Sequence, residues 1–393
     1  MLTASAWSRR SDPAQAVAEA SDRLTARLGG RPSFVVAQHT VALAADQVAA
    51  ALAVRFPGVP LHGGTSCQGV MTEEGFIADG SVLGLFGVLD PDGAFGVASA
   101  ELGADPEAAA MAAAERALDA AGRPGERPDL VWITGAPGRE EHILGGLRLL
   151  FGPGVPVAGG SSADDAVAGG WSQFAGTQVH RDGVVVSVLF PSRGLSFSFH
   201  SGYDPTAHHG RVTASSGRTI LTIDGEPAAA VYDRWTGGVL GGARQGGGNV
   251  LALTTLTPLG RVVQDVGGIP YYQLSHPNQV TPEGGLTLFS DIATGDEVVL
   301  MRGSPETLVT RAGRVAHSAL GDGTSTPAGA LVIYCAGCML TVRGRMDEVS
   351  AAVRSALGGR PFLGCFTFGE QGCLPGGNNR HGNLMISVLA FHA

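Results

Sequence analysis

At 393 residues the chain is too long for one ordinary hydrophobic core, so two domains are expected. Its formal charge of −9, with no Lys/Arg-rich run, argues against nucleic acid or a membrane surface as a partner, and no stretch reaches the length of a membrane span. Charged residues at 16% argue against disorder, and five cysteines are too few for a disulfide scaffold, so a cytoplasmic protein with reduced thiols is expected.

Asp12 followed by Pro13 reads as the N-cap and first residue of a helix through Leu28, closed by Gly29-Gly30. Residues 1–30 are therefore expected as a helical extension. From Ser33 a pattern begins that occurs three times: an apolar strand, a loop and helix, Gly-rich text led by Pro, and a second apolar strand. The first copy is Phe34–Ala37, a helix around Leu43–Val54, Pro60-Leu61-His62-Gly63-Gly64-Thr65-Ser66, then Val82–Val88. The second is Leu130–Ile133, Ile143–Leu150, Pro156-Val157-Ala158-Gly159-Gly160-Ser161-Ser162, then Val184–Phe190. The third is Leu331–Tyr334, Val349–Leu357, Pro361-Phe362-Leu363-Gly364-Cys365-Phe366-Thr367, then Asn383–Leu389.

A helix between strands permits a parallel crossover, and Gly-rich text after a buried strand is expected as a loop at the edge where open α/β sheets hold ligands. An Ala-rich helix at about Pro106–Ala121 links the first two copies. After Phe190 the character changes. Leu195–His200 alternates like a half-exposed strand, Thr219–Gly225 reads as strand and turn, Pro227–Trp235 starts a helix, and 241–248 reads as a loop. Leu286–Phe289 and Val298–Met301 add two strands. The expected fold is α/β, with repeated strand-helix-strand units forming layered mixed or parallel sheets in two domains, 31–205 and 206–393.

The ordered series of motifs resembles the FIST family of bacterial and some eukaryotic signalling proteins, which pairs an N-terminal with a C-terminal FIST domain. The N-terminal likeness lies in Gly63–Gly69, Gly159–Asp164, Gln173-Phe174, Gly176 and Asp182–Val185. The C-terminal likeness lies in Asp224–Ala228, Tyr232, Gly295-Asp296, Cys335–Gly337 and Pro361–Glu370. The resemblance implies a cytosolic sensory module binding a small ligand such as an amino acid, and handing its signal to a separate partner. Some members bind haem, sense nitric oxide and act on histidine kinases. The family often has Arg near Cys338 and Glu where this chain has Val70.

Candidate site residues cluster late in the chain. Cys335 and Cys338 form C-x-x-C after a strand, and Cys365 and Cys373 follow. Four thiols at one sheet edge could hold zinc, whereas small buried cysteines are the plainer reading. A helix beginning only near Met346 separates the C-x-x-C from the helix N-terminus that a thiol oxidoreductase uses. Glu370 is expected in a Gly-rich loop, accepting from a ligand amine, with Thr367, Asn383 and Ser161 as further ligand contacts. His381 beside the last strand is the candidate axial ligand should haem be bound. The expected pocket joins Thr367–Glu370, Cys335–Cys338 and His381–Asn383. No hydrolase, P-loop or dinucleotide fingerprint is present, so a non-enzymatic sensor leads. A haem-based nitric oxide sensor and a thiol- or metal-dependent enzyme remain as alternatives.

Overall fold

The computed structural model describes residues 1–321 and 326–393. Its chain runs through three copies of one unit. The first comprises β1 (Leu2–Ser8), α1 (Pro13–Leu28), β2 (Phe34–His39), α2 (Ala45–Arg55), β3 (Leu61–Thr65), the hairpin β4 (Gly69–Thr72) and β5 (Gly75–Ala78), and β6 (Leu83–Leu89). The second comprises β7 (Ala94–Glu101), α3 (Pro106–Ala120), β8 (Leu130–Gly135), α4 (Glu140–Phe151), β9 (Val157–Ser161), the hairpin β10 (Gln173–Ala175) and β11 (Gln178–His180), and β12 (Gly183–Phe190). The third opens with β13 (Leu195–His200) and is interrupted by an insert. The insert holds β14 (Asp204–Ser216), β15 (Thr219–Ile223), β16 (Glu226–Pro227), α5 (Ala228–Thr236), α6 (Ala243–Gly246), β17 (Gly248–Asn249), α7 (Leu251–Thr254), β18 (Leu259–Val266), β19 (Ile269–Ser275), β20 (Pro277–Val280), β21 (Leu286–Leu288) and β22 (Glu297–Arg302). The third unit then resumes with α8 (Pro305–Ala319), β23 (Pro327–Cys335), α9 (Ala336–Thr341), α10 (Met346–Ala356), β24 (Phe362–Thr367), the hairpin β25 (Glu370–Leu374) and β26 (Asn378–Gly382), and β27 (Ile386–His392).

Local chemistry explains the helix ends. The Asp12 carboxylate accepts from the Gln15 N–H at 2.8 Å, Pro13 supplies a pre-set φ, and Gly29 at φ 69° closes α1. The first thirty residues are not helix alone, because β1 pairs along its whole length with β6. In each unit one central strand, β2, β8 or β23, pairs in parallel with β3, β9 or β24 and antiparallel with the unit's last strand, as in Ala330 beside Phe362 and Leu331 beside Leu389.

The Gly-rich text is not loop, as its composition suggested. It forms the parallel strands β3, β9 and β24. The cause lies in how the hairpins pair. The hairpin of unit one joins β24 of unit three, that of unit two joins β3 of unit one, and that of unit three joins β9 of unit two. In two of the three exchanges a glycine on the receiving strand stands opposite a large incoming side chain. Phe174 lies over Gly63, where an added Cβ would come within 2.0 Å of the ring, and Met71 lies over Gly364, where it would come within 2.5 Å.

Period-two alternation gives each sheet two buried faces. Phe34, Val36, Leu130, Trp132, Leu331 and Ile333 point to a shared centre built from all three sheets. Val35, Val131 and Val332 point outward under their own unit's helices. The segment 241–248, expected as loop, contains α6 and the start of β17. The insert forms its own sheet and core, around Tyr232, Val212 and Leu286.

Candidate functional site

The ends of β23 and β24 lie side by side, with Cys335 in register with Thr367. The chain leaves β23 straight into α9, with Cys335 as its N-cap residue and Cys338 one turn inside. The C-x-x-C therefore does sit at the start of a helix, contrary to the expectation of a helix beginning only at Met346. The short α9 escaped sequence reading because Ala336–Thr341 is six residues long and carries no capping side chain.

Over these ends lies a cavity of about 460 Å³. Its floor is Cys335, Ala336, Gly337, Thr367 and Phe368, and Leu340 and Thr341 of α9 form one wall. The insert roofs it with Asn249, Leu251, Ala252, Thr255, His276 and Phe289. Asn383 enters from the segment before β27, and Val167 from the second unit. Val167 holds φ at 54°, a left-handed conformation costly for a β-branched residue. The Asp164 carboxylate shapes that loop by accepting from the N–H groups of Ala166, Ala168 and Gly170.

Two lining residues carry polar atoms with no protein partner. His276 Nε2 has no hydrogen-bond partner, and burial drops the ring's pKa to about 4, so the ring is neutral. The Asn383 Oδ1 accepts from the His276 N–H at 3.1 Å, and its Nδ2 has no partner. An imidazole nitrogen and an amide donor thus lack protein partners on residues that line the same cavity, and among the described lining residues none is charged.

Of the residues singled out from the sequence, Cys335, Thr367 and Asn383 line this cavity. Glu370 does not. It opens β25 rather than a loop and is fully buried. Its Oε1 accepts from Thr367 at 2.9 Å and its Oε2 from the Met385 N–H at 2.9 Å. Burial raises its pKa well above the ordinary carboxyl value. Both oxygens already serve the fold, so a ligand amine has no carboxylate to meet there. Cys338 lies behind Cys335, fully buried.

His381 and Ser161 belong to a separate polar cluster. The His381 ring faces the Gln371 amide at 3.2 Å and the Phe289 carbonyl at 3.3 Å, while Ser161 donates to Glu140 at 2.9 Å. Both imidazole nitrogens being engaged, His381 offers no open axial position for haem. Arg218 ties Glu140, Glu141 and Asp291 together in the same cluster. Among the described residues, Glu140, Glu141 and His381 form the single group of three or more metal-capable side chains whose ligand atoms come within reach of one another.

The four late cysteines do not gather, which removes the proposed zinc set. Cys365 points to the shared centre between the sheets, and Cys373 donates to the Leu374 carbonyl beside a different hollow. All five cysteines are free and buried. Burial lifts Cys67 and Cys365 to about 12 and Cys373 to about 11, the direction expected of inert core thiols.

Sequence reading missed His276, Phe289 and Arg311. The first two come from the insert, whose path over the strand ends no periodicity announces. Arg311 had a signal: it interrupts the apolar stripe Leu308, Ala312, Val315, Ala319 of α8 and is itself buried.

A family model for the FIST N domain matches residues 33–226, and one for the FIST C domain matches 228–373. The chain belongs to the FIST family. FIST domains are associated with signal transduction and the sensing of small ligands. The uncharacterized protein MJ1623 of Methanocaldococcus jannaschii is 31% identical over 78 residues, 20% of this FIST chain. The match spans only 15% of that relative's length. Among solved structures, a cyanuric acid hydrolase from A. caulinodans aligns over 99% of this chain and 98% of its own, at 10% identity and a TM-score of 0.35. PurLQS from Thermotoga maritima aligns over 77% and 72%, at 10% identity and a TM-score of 0.22. Likeness of that order carries no argument about this FIST protein. Among the described residues, no helix is long and apolar enough to cross a membrane.

Proposed function

We propose that this protein is a cytoplasmic, non-catalytic sensor whose ligand occupies the cavity over Cys335 and Thr367, and that it signals through a separate partner such as a histidine kinase. The observation that carries this reading is the pair of unpartnered polar atoms, His276 Nε2 and Asn383 Nδ2, on residues that line a mainly apolar cavity. Small-molecule sites are built this way, with apolar walls and a few polar groups that fix orientation. A ligand with one N–H or O–H for His276 and one acceptor for Asn383 satisfies both.

The lining also selects against a zwitterion. A free amino acid would bring two charges to described walls that hold no counter-charge, at a desolvation cost those walls do not offset. The preferred ligand is a neutral, partly apolar molecule.

Native mass spectrometry of the protein as isolated tests the reading. The expected result is a retained small mass that disappears in Asn383→Ala and in the cavity-filling Leu340→Trp, with the fold intact by circular dichroism. A retained mass indifferent to both variants would place the ligand elsewhere. A Soret band lost in His276→Ala would replace this reading with the haem sensor.

A further inference from the structure

The sensing reading leaves the cluster beneath the cavity unused. Arg311 is 2% exposed, and among the described residues no carboxylate forms a salt bridge with it. Its Nη1 donates to the Ser201 carbonyl, its Nη2 donates to Leu384 O at 2.8 Å, and its Nε has no partner. The guanidinium packs against the rings of Tyr203, at 5.1 Å, and Tyr334, at 5.8 Å. A buried cation needs an anion close by. The group in place is Cys338, whose sulfur lies 3.5 Å from Arg311 Nη2 and 3.6 Å from the Tyr203 hydroxyl. Cys335 and Cys338 stand at the two ends of the first turn of α9, Cys335 as its N-cap residue and Cys338 as its third helical residue.

We propose that Cys335 and Cys338 are a redox pair, resting as one thiol and one Arg311-held thiolate, which a hydroperoxide entering the cavity oxidises to a disulfide. Cys335 is the sulfur that meets the oxidant, because it lines the cavity and Cys338 does not. Its proton passes to Cys338, and the Cys335 sulfur attacks the peroxide. The O–O bond breaks, leaving Cys335 as a sulfenic acid and releasing hydroxide or an alkoxide, which takes a proton from solvent to become water or an alcohol. Cys338 then gives its proton to solvent, attacks the Cys335 sulfur and expels hydroxide. The two sulfurs lose two electrons, and the two peroxide oxygens gain them.

The titration tendencies agree with this division of roles. Burial works against a thiolate at Cys338, but the hydrogen bond from Cys335 and the charge of Arg311 outweigh it and lower its pKa. Cys335 moves upward, chiefly through its hydrogen bond to Cys338. Burial keeps the remaining three cysteines protonated, Cys67 in spite of the charge of Arg343. Oxidation would leave Arg311 without its anion. That residue also borders a second hollow of about 520 Å³ on the other side of Tyr203, so the change of state reaches beyond the ligand cavity. The proposal does not depend on which ligand fills the cavity.

The test uses the full-length reduced protein, a small molar excess of hydrogen peroxide, alkylation of the remaining thiols and peptide mapping. The expected product is a Cys335–Cys338 disulfide, reversed by dithiothreitol and absent in Cys335→Ser. Its rate should fall tenfold or more in Arg311→Met and only a few-fold in Arg311→Lys. Should Arg311→Met fail to fold, the unsubstituted protein decides the point. Its oxidation rate should be nearly flat between about pH 6 and 8, where an ordinary thiol gains reactivity steadily. Two free thiols after excess peroxide would overturn the proposal, as would first oxidation at Cys67, Cys365 or Cys373, or a rate that climbs tenfold per pH unit.

Discussion

The first and third units end their parallel strands in the same way but use the ends differently. In the first, the ends of β2 and β3 are sealed: the Ser66 N–H donates to the His39 carbonyl at 2.8 Å, and the Ser66 hydroxyl accepts from the Phe366 N–H at 2.8 Å. In the third, the equivalent ends carry Cys335 and Thr367 and open into the cavity. The difference comes from the insert, which the first unit lacks. By arching over the strand ends it supplies a roof without filling the space beneath. A fold that repeats three times therefore needs only one interruption to convert a packed end into a site.

The largest expected effect is at Glu370, which fastens the open end together. Glu370→Ala would strand the Met385 N–H and the Thr367 hydroxyl inside the protein and leave a void, costing about 3–5 kcal/mol in urea unfolding. Glu370→Gln keeps the shape and the uncharged state and should cost about 1 kcal/mol or less. Equal losses in the two variants would show that the carboxyl is ionised in the native protein.

Next comes the sealed unit. Gly63→Ala sets a methyl group against the Phe174 ring and should destabilise by about 1–3 kcal/mol, while pairing it with Phe174→Leu should recover part of that loss. Additive losses would mean that the ring is not the obstacle.

Acid acts on both ends. Burial holds His39 and His276 down to about 4 and His62 to about 3, from an ordinary 6.5. A depressed folded-state pKa contributes stability above pH 6.5 that is lost as pH falls toward 4 and then 3, on the order of a few kcal/mol for each ring. Glu370 acts in the opposite sense, since its raised pKa costs stability as pH rises above the ordinary carboxyl range. Melting temperature should drop steadily between pH 6.5 and 4, and less so with ligand in the cavity if the ligand bonds neutral His276.

The smallest effect on stability is expected at Gly337, where an added Cβ meets nothing closer than 3.6 Å. Gly337→Ala should change stability by about 0.5 kcal/mol or less yet alter ligand affinity, because the new methyl projects beside His276. A variant that loses stability without changing affinity would show that the α9 wall is not a ligand surface.

Much of the fold was legible because its signals are local. The Asp12–Pro13 cap, the Gly29 stop and the alternation of Leu331, Val332 and Ile333 each report on their own few residues. The exchange of hairpins was not legible. Gly63 and Gly364 looked like loop glycines because the side chains that require them, Phe174 and Met71, lie more than a hundred residues away. The site divided in the same way. Cys335, Thr367 and Asn383 were singled out from their positions at strand ends and line the cavity, whereas His276 belongs to a segment whose route depends on the insert's own core. Glu370 and His381 were misplaced because β25 and β26 leave the third unit and turn those side chains inward, Glu370 against Thr367 and Met385 and His381 beside Glu140 of the second unit.

The hairpin exchange has a consequence for how the chain comes apart. Each unit lends a hairpin to one neighbour and borrows one from the other, and the loans close in a circle. No unit can leave without pulling its hairpin out of one neighbour's sheet and losing the other neighbour's hairpin from its own. Fragments 1–192 and 193–393 should therefore be poorly folded when expressed alone. Mixed, each would offer the hairpin the other lacks, and the two halves should recognise one another and assemble without a covalent bond between them.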